Sequence, residues 1–474
     1  MGGVRTPMRA AAPSPRARAV EGSHTTVRGH DLSRRLACPS VAEPLQTGDG
    51  WLARLPAPIR PLSLESWSAI LRAARRYGNG VLELTTRGGL QVRGLTQGSG
   101  AGLARMLRAA GVEDPGVPVL QVNPLSGLDP CERIDAAGLA DRVRTALVES
   151  PLRHPLGPKV SVVVDGGGSF PLDGVSADVR VEAVPGPRGV ALRISAAGTA
   201  STAVAVGQVS LENGPHVVHT LLERIAAAGR AARARSVVDA CGPEALARGL
   251  PIESTHGDAA APRAAAEPLG VHPIRGGCAV GLGLPLYGSL AVSTLESLLR
   301  AVRDAGGQAL QACPGRALLV LPIPAARVSR LQQDAADLGF LVHGDDPRRH
   351  VVACAGAPAC GSALHPTRDV AAEIATSESA LLDGSMKVHV SGCTKGCAHP
   401  GTAALTLVAD PRGYAVVLHG TASGLPVGVL PVSRVAEGTA RLLQQAPRGS
   451  TSAERLAGIA PGSLAPLFAE LADA

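Results

Sequence analysis

The chain has 474 residues, of which 45% are hydrophobic, 18% charged and 2% aromatic, and its formal net charge is +7. At about 150 residues per domain, this length predicts roughly three domains that each bury a core, and it excludes a single small disulfide-stapled module. The composition is globular, no apolar run reaches the ~18 residues of a membrane span, and the scarce aromatic residues argue against a platform that stacks single-stranded nucleic acid. We therefore expect a protein that binds neither membranes nor nucleic acid.

The N-terminal tail carries most of the net charge. Residues 1–40 contain seven Arg against two acidic residues, Glu21 and Asp31, and so hold +5 of the total +7. The segment is rich in Pro, Ala and Arg, shows no helical or strand periodicity, and has no central apolar stretch of a secretory signal. We predict a disordered basic tail over residues 1–37. A transit peptide and a nucleic-acid-binding arm are the alternatives.

An internal repeat follows the tail. The stretch LRAARRYGNGVLELTTRGGLQVRGL, which begins at Leu71, aligns with LRAVRDAGGQALQACPGRALLVLPI, which begins at Leu299. Each copy predicts an amphipathic helix, a glycine turn and two strands. We expect the two copies to pair into one sheet that is covered by helices on one face. A longer segment follows each copy, so the chain is organised as A, B, A′, B′.

The cysteines are of two kinds. Nine cysteines, an odd number, in a chain without an export signal predict reduced thiols in the cytoplasm. Five are scattered, and we expect most of them to be small buried hydrophobic residues: Cys38, Cys131, Cys241, Cys278 and Cys313. The other four form two close pairs, Cys354 and Cys360 as C-x5-C, and Cys393 and Cys397 as C-x3-C.

The two pairs predict an iron–sulfur site. Four thiolates from two loops are the ligand set of a [4Fe-4S] cluster, because each iron needs one outer ligand and sulfur is a soft donor. Zinc is the alternative, although C-x5-C is wider than the usual spacing of a zinc knuckle; unliganded thiols are a third possibility. Lys395, inside the second pair, would offset the negative charge of the cluster or bind a substrate carboxylate.

The elements around the cysteines indicate an α+β domain. Pro366 is placed to begin a helix over PTRDVAAEIATSES, and MKVHVS alternates like a strand that leads into the second cysteine pair. The stretch ALTLVADPRGYAVVLHG predicts a hairpin that turns at residues 410–413.

Together these features resemble the sulfite and nitrite reductase superfamily, whose pattern joins C-x5-C and C-x3-C to a duplicated half-domain carrying T-x-R…Q. Here that motif reads TTRGGLQVR and supplies Thr86, Arg87, Gln91 and Arg93. Within the superfamily the chain is most similar to the precorrin-3B synthase family of aerobic cobalamin biosynthesis. The matching stretches include CPSVAEPLQTGDGWLARLP, NPLSGLDP, LGPKVSVVVDGGG and CAGAPACGSA…HVSGCTKGCAHP, and they span about residues 38–420.

The resemblance implies an α+β fold of the sulfite/nitrite reductase type, with duplicated ferredoxin-like half-domains plus two larger α+β domains. The implied divisions after the tail are residues 38–115 for the first half-domain, 116–272 for a larger domain without a cluster, 273–342 for the second half-domain and 343–474 for the iron–sulfur domain.

The resemblance also implies a monooxygenase that hydroxylates precorrin-3A at C20 with dioxygen and closes a γ-lactone. The cluster would relay single electrons from an external donor, either NADH through a reductase or a ferredoxin, and a mononuclear non-haem iron would activate dioxygen. Cys397 would be the thiolate nearest to that second centre. No catalytic residue is assigned. His389, His399 and Asn123 lie near matched motifs, but a lone histidine is more often structural, and none is assigned as an iron ligand.

A precorrin carries many carboxylates, so its pocket should present cationic side chains. The candidates for substrate binding are Arg54, Arg87, Arg93, Lys159 and Lys395. Arg87 and Arg93 would face the same side of a regular strand, unless Gly88 and Gly89 interrupt its alternation.

Two other functions are open. A sirohaem-dependent sulfite or nitrite reductase would surround a small oxyanion with cations. Here LGPKVSVVV has Lys159 but Ser161 where a second lysine is expected, and Val117 stands where an arginine is expected. An electron carrier or redox sensor needs only a small cluster domain, whereas this chain has two large duplicated units.

Overall fold

The computed structural model describes residues 39–112, 118–187, 189–252, 263–264, 266–284, 288–377, 382–447, 449 and 451–473. Cys38–Ala474 forms one compact unit. The predicted basic tail, Cys38 and Val117 lie outside the described residues. Among the helices that are described, none combines the length and the apolar character needed to cross a membrane.

The first half-domain is built from two antiparallel hairpin-like pairs and two helices. Its elements are β1 (Leu45–Thr47), β2 (Gly50–Leu55), β3 (Leu62–Ser63), α1 (Leu64–Tyr77), β4 (Val81–Leu84), β5 (Leu90–Leu95) and α2 (Ser99–Ala109). Ser63 caps α1, since its side chain accepts a hydrogen bond from the Ser66 N–H. One face of α1 is buried and includes Trp67, Ile70 and Leu71.

The first larger domain follows. Its elements are β6 (Val119–Val122), α3 (Ala136–Glu149), β7 (Ser161–Asp165), β8 (Ala177–Gly186), β9 (Gly189–Gly198), β10 (Val204–Val209), α4 (Gly214–Ala227), α5 (Ala234–Cys241) and α6 (Glu244–Ala247). The strands form a five-stranded sheet in the order β10-β9-β8-β7-β6. Strands β6, β7 and β8 are parallel, whereas β9 and β10 extend the sheet in antiparallel fashion. Valine fills β7, the middle one of the three parallel strands, as expected for a strand covered on both faces.

The second half-domain repeats the first. Its elements are β11 (Gly270–Ile274), β12 (Gly277–Gly283), β13 (Ser289–Ala291), α7 (Val292–Asp304), β14 (Ala309–Cys313), β15 (Ala317–Ile323), a 3-10 turn (Ala325–Arg327) and α8 (Val328–Asp337). The predicted order of helix, turn and two strands is therefore present in both copies.

The cysteine-bearing domain comes last. Its elements are a 3-10 turn (Pro347–His350), β16 (Val351–Ala353), α9 (Arg368–Ser377), β17 (Val388–Ser391), β18 (Ala403–Asp410), β19 (Gly413–Gly420), β20 (Gly428–Leu430), a 3-10 turn (Val432–Arg434), α10 (Val435–Gln445), α11 (Ser452–Ala457), a 3-10 turn (Pro461–Leu464) and α12 (Ala465–Asp473). The predicted hairpin is confirmed, because β18 and β19 pair from Ala403–Gly420 to Asp410–Gly413. The sheet order is β16-β17-β18-β19-β20, with β16, β17 and β18 parallel.

The two half-domains exchange edge strands. One five-stranded sheet has the order β1-β2-β5-β4-β13, and another has the order β11-β12-β15-β14-β3. The prediction of one shared sheet is therefore wrong. Each short strand that precedes a helix pairs with the other copy, and the Trp67 indole N–H donates to the Leu310 carbonyl across this junction at 3.0 Å. Both copies contribute to one hydrophobic core, which includes Leu71 and Leu299.

Candidate functional site

The four paired cysteines lie at the carboxyl ends of two parallel strands. Cys354 directly follows β16, and Cys393 stands two residues after the end of β17. Cys360 and Cys397 lie on the loops that follow. Because neighbouring parallel strands end at the same edge of a sheet, the two loops meet there. The Gly392 N–H donates to the Cys354 sulfur at 3.2 Å, and so joins the two loops.

The thiols are close enough to affect one another. Burial raises the pKa of the Cys397 thiol above its usual range, and the thiols of Cys393, Cys354 and Cys360 raise it further. Lys395 acts in the opposite direction and lowers this pKa. A thiolate at Cys397 is therefore disfavoured unless a cationic group joins the four sulfurs.

The four paired thiols are soft sulfur donors of the kind that bind iron or zinc. In the described part of the chain, no three His, Cys, Asp or Glu side chains converge as the ligands of one metal ion do. In a [4Fe-4S] cluster each thiolate binds a different iron, so the sulfurs stand farther apart. The glycine N–H that points at the Cys354 sulfur is also the kind of donor that tunes such a cluster.

The first half-domain holds the cysteine loop of residues 354–360 in place. The Ala359 carbonyl accepts hydrogen bonds from the Gly48 N–H at 3.2 Å and from the Arg93 guanidinium at 2.5 Å. Asp49 fixes Arg93 through an ion pair of 2.8 Å. A Cβ atom at residue 48 would lie 2.2 Å from the Pro358 carbonyl oxygen, so only glycine permits this approach.

A cavity of about 1070 Å³ opens beside Cys354 and Cys397. This volume is at the upper end of the range for small-molecule sites and leaves room for a large ligand. Cationic side chains greatly outnumber the acidic ones, Glu43 and Glu83, along its wall. The cationic lining residues are Arg54, Arg87, Arg93, Arg108, Lys159, Arg230, Arg233, Arg316 and Arg368.

Glu83 organises several of these cations. This carboxylate is 8% exposed and accepts hydrogen bonds from Arg93 Nη1 at 3.1 Å and from Arg368 Nη2. The Gln91 amide, oriented so that its nitrogen donates to Glu83 at 3.0 Å, accepts from Arg54 Nε at 2.9 Å. A continuous hydrogen-bonded network therefore connects Arg54 at the cavity wall to Arg368 at the start of α9.

Four of the five predicted substrate-binding residues line the cavity. Arg54, Arg87 and Lys159 stand on its wall, and Gln121 donates to the Arg87 carbonyl at 3.2 Å. Arg93 is only 4% exposed, and its guanidinium is occupied. Burial by itself lowers the pKa of Arg93, but its bonds to Asp49 and the charge of Glu83 raise this pKa above the usual value. We interpret Arg93 as a structural cation.

The fifth predicted residue, Lys395, is not among the lining residues of the cavity. Its ammonium group donates to the Ser362 hydroxyl at 2.9 Å on the exposed side of the cysteine loops. Of the two roles considered for Lys395, this position favours compensation of negative charge near the cysteines over contact with substrate.

Known proteins resemble this chain over most of its length. Residues 43–110 match the family of nitrite/sulfite reductase ferredoxin-like half domains. A precorrin-3B synthase of Sinorhizobium sp is 39% identical over 410 residues, which cover 86% of this chain and 88% of that protein. The chain belongs to the precorrin-3B synthase family.

More distant relatives of this precorrin-3B synthase family member fall within the superfamily predicted from the motifs. A ferredoxin–nitrite reductase of Synechococcus elongatus is 24% identical over 394 residues, with 76% of each chain covered. The solved structure of the Mycobacterium tuberculosis NirA protein superposes with a TM-score of 0.68 at 18% identity, covering 87% of this chain and 84% of that one. The predicted fold class and superfamily resemblance are thereby confirmed.

Sequence reasoning missed several cations that this member of the precorrin-3B synthase family places on the cavity wall. They are Arg108, Arg230, Arg233, Arg316 and Arg368. Arg368 begins α9, two residues after the Pro366 that marked the helix start, so its position on a helix was readable. The sequence did not indicate that Arg368 lies close to Glu83, because the two residues are far apart in the chain.

The residues considered but not assigned as iron ligands differ in availability. The Asn123 amide is occupied, since its nitrogen donates to the Phe170 carbonyl at 2.7 Å and its oxygen accepts from the Gly166 N–H at 2.6 Å. His389 is fully buried, and neither of its ring nitrogens has a hydrogen-bond partner among the described residues. Burial, and to a smaller extent His399, lowers the pKa of His389 to about 4, so the ring is neutral at pH 7. The two rings stand 5.8 Å apart, centroid to centroid.

Proposed function

We propose that the protein is a precorrin-3B synthase that hydroxylates precorrin-3A at C20 with dioxygen and closes the γ-lactone. The observation that carries the proposal is the cationic cavity of about 1070 Å³ beside the four cysteines, in a chain 39% identical to a precorrin-3B synthase. A tetrapyrrole with many carboxylates requires both the volume and the charge. Dioxygen supplies the hydroxyl oxygen, and two electrons and two protons convert its other atom to water.

We propose that Cys354, Cys360, Cys393 and Cys397 hold a [4Fe-4S] cluster. When bound, the cluster supplies the electrons one at a time, from NADH through a reductase or from a ferredoxin. The chain itself positions these ligands: Arg93 fastens the first cysteine loop to the sheet of the first half-domain, and the Gly392 N–H fastens the second loop to Cys354. The eight described cysteines are free, which suits the reducing cytoplasm that we propose.

The mononuclear non-haem iron that the family resemblance implies has no assigned ligands. Within the described ranges, no group of three potential ligand side chains converges. We therefore derive no step through such an iron.

In this proposal, binding and orientation of the substrate are the work of the cavity wall. Arg54, Arg87 and Lys159 bind peripheral carboxylates, because these three cationic residues line a space that admits a macrocycle. Glu83 and Gln91 keep Arg54 in one orientation through their shared hydrogen bonds. Fixing the macrocycle at several points aligns one edge for oxygenation and brings the acetate close to the carbon that it attacks.

The decisive experiment supplies anaerobically purified protein with precorrin-3A, a reductant and 18O-labelled dioxygen. We expect a product that has gained one labelled oxygen atom and carries a lactone, detected by mass spectrometry. Unchanged precorrin-3A, in the presence of a reducible cluster, would contradict the proposal.

A sirohaem-dependent nitrite or sulfite reductase is the second candidate, because the chain also aligns with a ferredoxin–nitrite reductase over 394 residues. Sirohaem is itself a carboxylate-rich tetrapyrrole that such a cavity would admit. A strong haem-type absorption band in the purified protein, together with reduction of nitrite or sulfite, would select this second function.

A further inference from the structure

Arg316 adopts an unusual backbone conformation at the wall of the cavity. It stands in the short turn between β14 and β15 with φ of 63°, in the left-handed region that residues with a Cβ atom rarely enter. Strained conformations of this kind persist where the side chain has a use or the surroundings impose them.

The duplicated half-domain shows what this position requires. In the first copy Leu84 pairs with Leu90 across the β4–β5 turn, and in the second Ala312 pairs with Leu318 across the β14–β15 turn. Matching these pairs places Arg316 on Gly88, whose φ is 81°. The equivalent position is therefore left-handed in both copies, with glycine in one and arginine in the other, and in the second copy the preceding Gly315 is left-handed too. Backbone geometry alone favours glycine, so the arginine side chain needs a separate explanation.

Among the described residues, Arg316 has no carboxylate partner of its own, since the nearby Glu83 pairs with Arg93 and Arg368. Its Nε atom is buried and has no hydrogen-bond partner among the described residues, and the same holds for Nε of Arg368. Burial lowers the pKa of Arg316, the positive charge of Arg368 lowers it further, and Glu83 and Cys354 act in the opposite direction. Glu83 is already hydrogen-bonded to Arg93 and Arg368. A buried guanidinium nitrogen without a hydrogen-bond partner is costly, and an incoming carboxylate would remove that cost.

We propose that Arg316 binds a carboxylate of the tetrapyrrole substrate at the end of the cavity next to Cys354. The proposal rests on the proposed function, since it assigns one more contact to the same ligand. A guanidinium suits this role because it forms two parallel hydrogen bonds to a carboxylate, which orients the ligand as well as attracting it. The cost of the left-handed arginine is then explained by a contact that exists only when substrate is bound.

An alternative role is compensation of cluster charge, because Arg316 also interacts electrostatically with Cys354. The two roles predict different measurements. If Arg316 binds substrate, its removal lowers ligand affinity, whether or not the reduction potential of the ligand-free cluster also changes. Charge compensation shifts that potential and leaves ligand affinity unchanged.

The test compares wild type with R316G, which installs the residue found at the equivalent turn. The control is H419G, because His419 has φ of 48° and is exposed, so this change relieves a similar strain away from the cavity. R316K retains the charge without the planar fork. Affinity is measured on the cluster-containing protein by quenching of the fluorescence of uroporphyrin III, an octacarboxylate tetrapyrrole, and the cluster potential by EPR-monitored redox titration.

We expect R316G to weaken uroporphyrin binding by about tenfold or more, the scale of one lost charge-assisted hydrogen bond. R316K should lose less affinity, and H419G should bind like wild type. The melting temperature of R316G should not fall, since a strained Cβ atom and a cation beside Arg368 have both been removed.

Wild-type affinity in R316G would overturn the proposal, and so would a shifted cluster potential with unchanged affinity. A loss of affinity in R316G that is accompanied by a proportionate loss of iron, or by a lower melting temperature, would also overturn it, since the residue would then be structural. Failure of wild type itself to bind uroporphyrin or to convert precorrin-3A would instead contradict the proposed function.

Discussion

The two larger domains share one sheet topology but differ in the side chains that join the two loops at the carboxyl ends of their parallel strands. In the first, Asn123 directly follows β6 and its amide oxygen accepts from the Gly166 N–H at 2.6 Å. In the second, Cys354 directly follows β16 and its sulfur accepts from the Gly392 N–H at 3.2 Å. The pairs Val122–Val164 and Ala353–Val390 set the two sheets in the same register, so these bonds are equivalent.

Cys360, the second cysteine of the first pair, also has a counterpart in the first larger domain. Asp129 follows Asn123 at the spacing that separates Cys360 from Cys354, and it accepts from the Ser169 N–H at 2.5 Å and from the Cys131 N–H at 2.8 Å. In the first domain, the side chains of Asn123 and Asp129 thus accept hydrogen bonds from the backbone N–H groups of the loops. In the second domain, the equivalent positions are cysteines. Two loops on the same backbone arrangement can therefore be held together by hydrogen bonds or carry the ligands of a cofactor, and a few side chains determine which.

Replacing one paired cysteine should have the largest effect. C354S removes one of the four thiolates that we propose as cluster ligands, so iron and acid-labile sulfide should fall to near zero, with complete loss of activity. Elemental analysis and low-temperature EPR of anaerobically purified protein provide the measurement. C241S, which alters an exposed cysteine on α5, is the control and should retain its iron. Full iron in C354S would refute the ligand assignment.

Removing the link between the first half-domain and the cysteine loop should be next in size. R93A removes the arginine that pairs with the Asp49 carboxylate, leaves Glu83 with Arg368 as its one remaining ion-pair partner among the described residues, and removes a donor to the Ala359 carbonyl. We expect a loss of about 3 kcal/mol in the free energy of unfolding, measured by urea denaturation. R75A, which breaks a largely exposed pair with Glu296 of 2.8 Å, should cost less than about 1 kcal/mol. Equal losses of unfolding free energy in R93A and R75A would show that the bonds of Arg93 contribute no more than an exposed ion pair.

Replacing Asn123, in the larger domain without paired cysteines, should destabilise the protein without lowering its iron content. N123A removes two buried hydrogen bonds and leaves the Gly166 N–H and the Phe170 carbonyl without their partner, at a cost of about 2 kcal/mol in the free energy of unfolding. The midpoint of urea denaturation should fall while the iron content stays at its wild-type level. N213A is the control, because the Asn213 side chain does not cap α4. Iron loss in N123A would mean that the two domains are functionally coupled.

A pH dependence should distinguish the two equivalent strands β7 and β17, each the middle one of three parallel strands. His389 occupies the position on β17 that Val163 occupies on β7. Because burial lowers the pKa of His389 from 6.5 to about 4, the unfolded chain binds the proton more readily, and stability decreases as pH falls from 6.5 towards 4. H389V should flatten this slope by up to one proton, as seen in denaturation midpoints at several pH values. An unchanged slope would show that other groups cause it.

Much of the fold could be predicted because its signals are local. The helix, turn and strand pattern from Leu71 recurs from Leu299, and strand alternation ahead of Cys393 and the turn at residues 410–413 depend on neighbours in sequence. The exchange of β3 and β13 could not be predicted. Both are short strands, and their pairing is determined by contacts with the other copy rather than by their own residues.

The sequence by itself determined the duplicated scaffold, the two cysteine pairs and the superfamily, because periodicity and motif spacing are written along the chain. Only the tertiary structure decided which cations share the cavity. Arg93 resembled a substrate ligand until its partners Asp49 and Glu83 were seen, and Arg316 and Arg368 come from segments far from the motif that carries Arg87. Charge and hydrogen-bond partners depend on distance in space, which the order of residues along the chain does not specify.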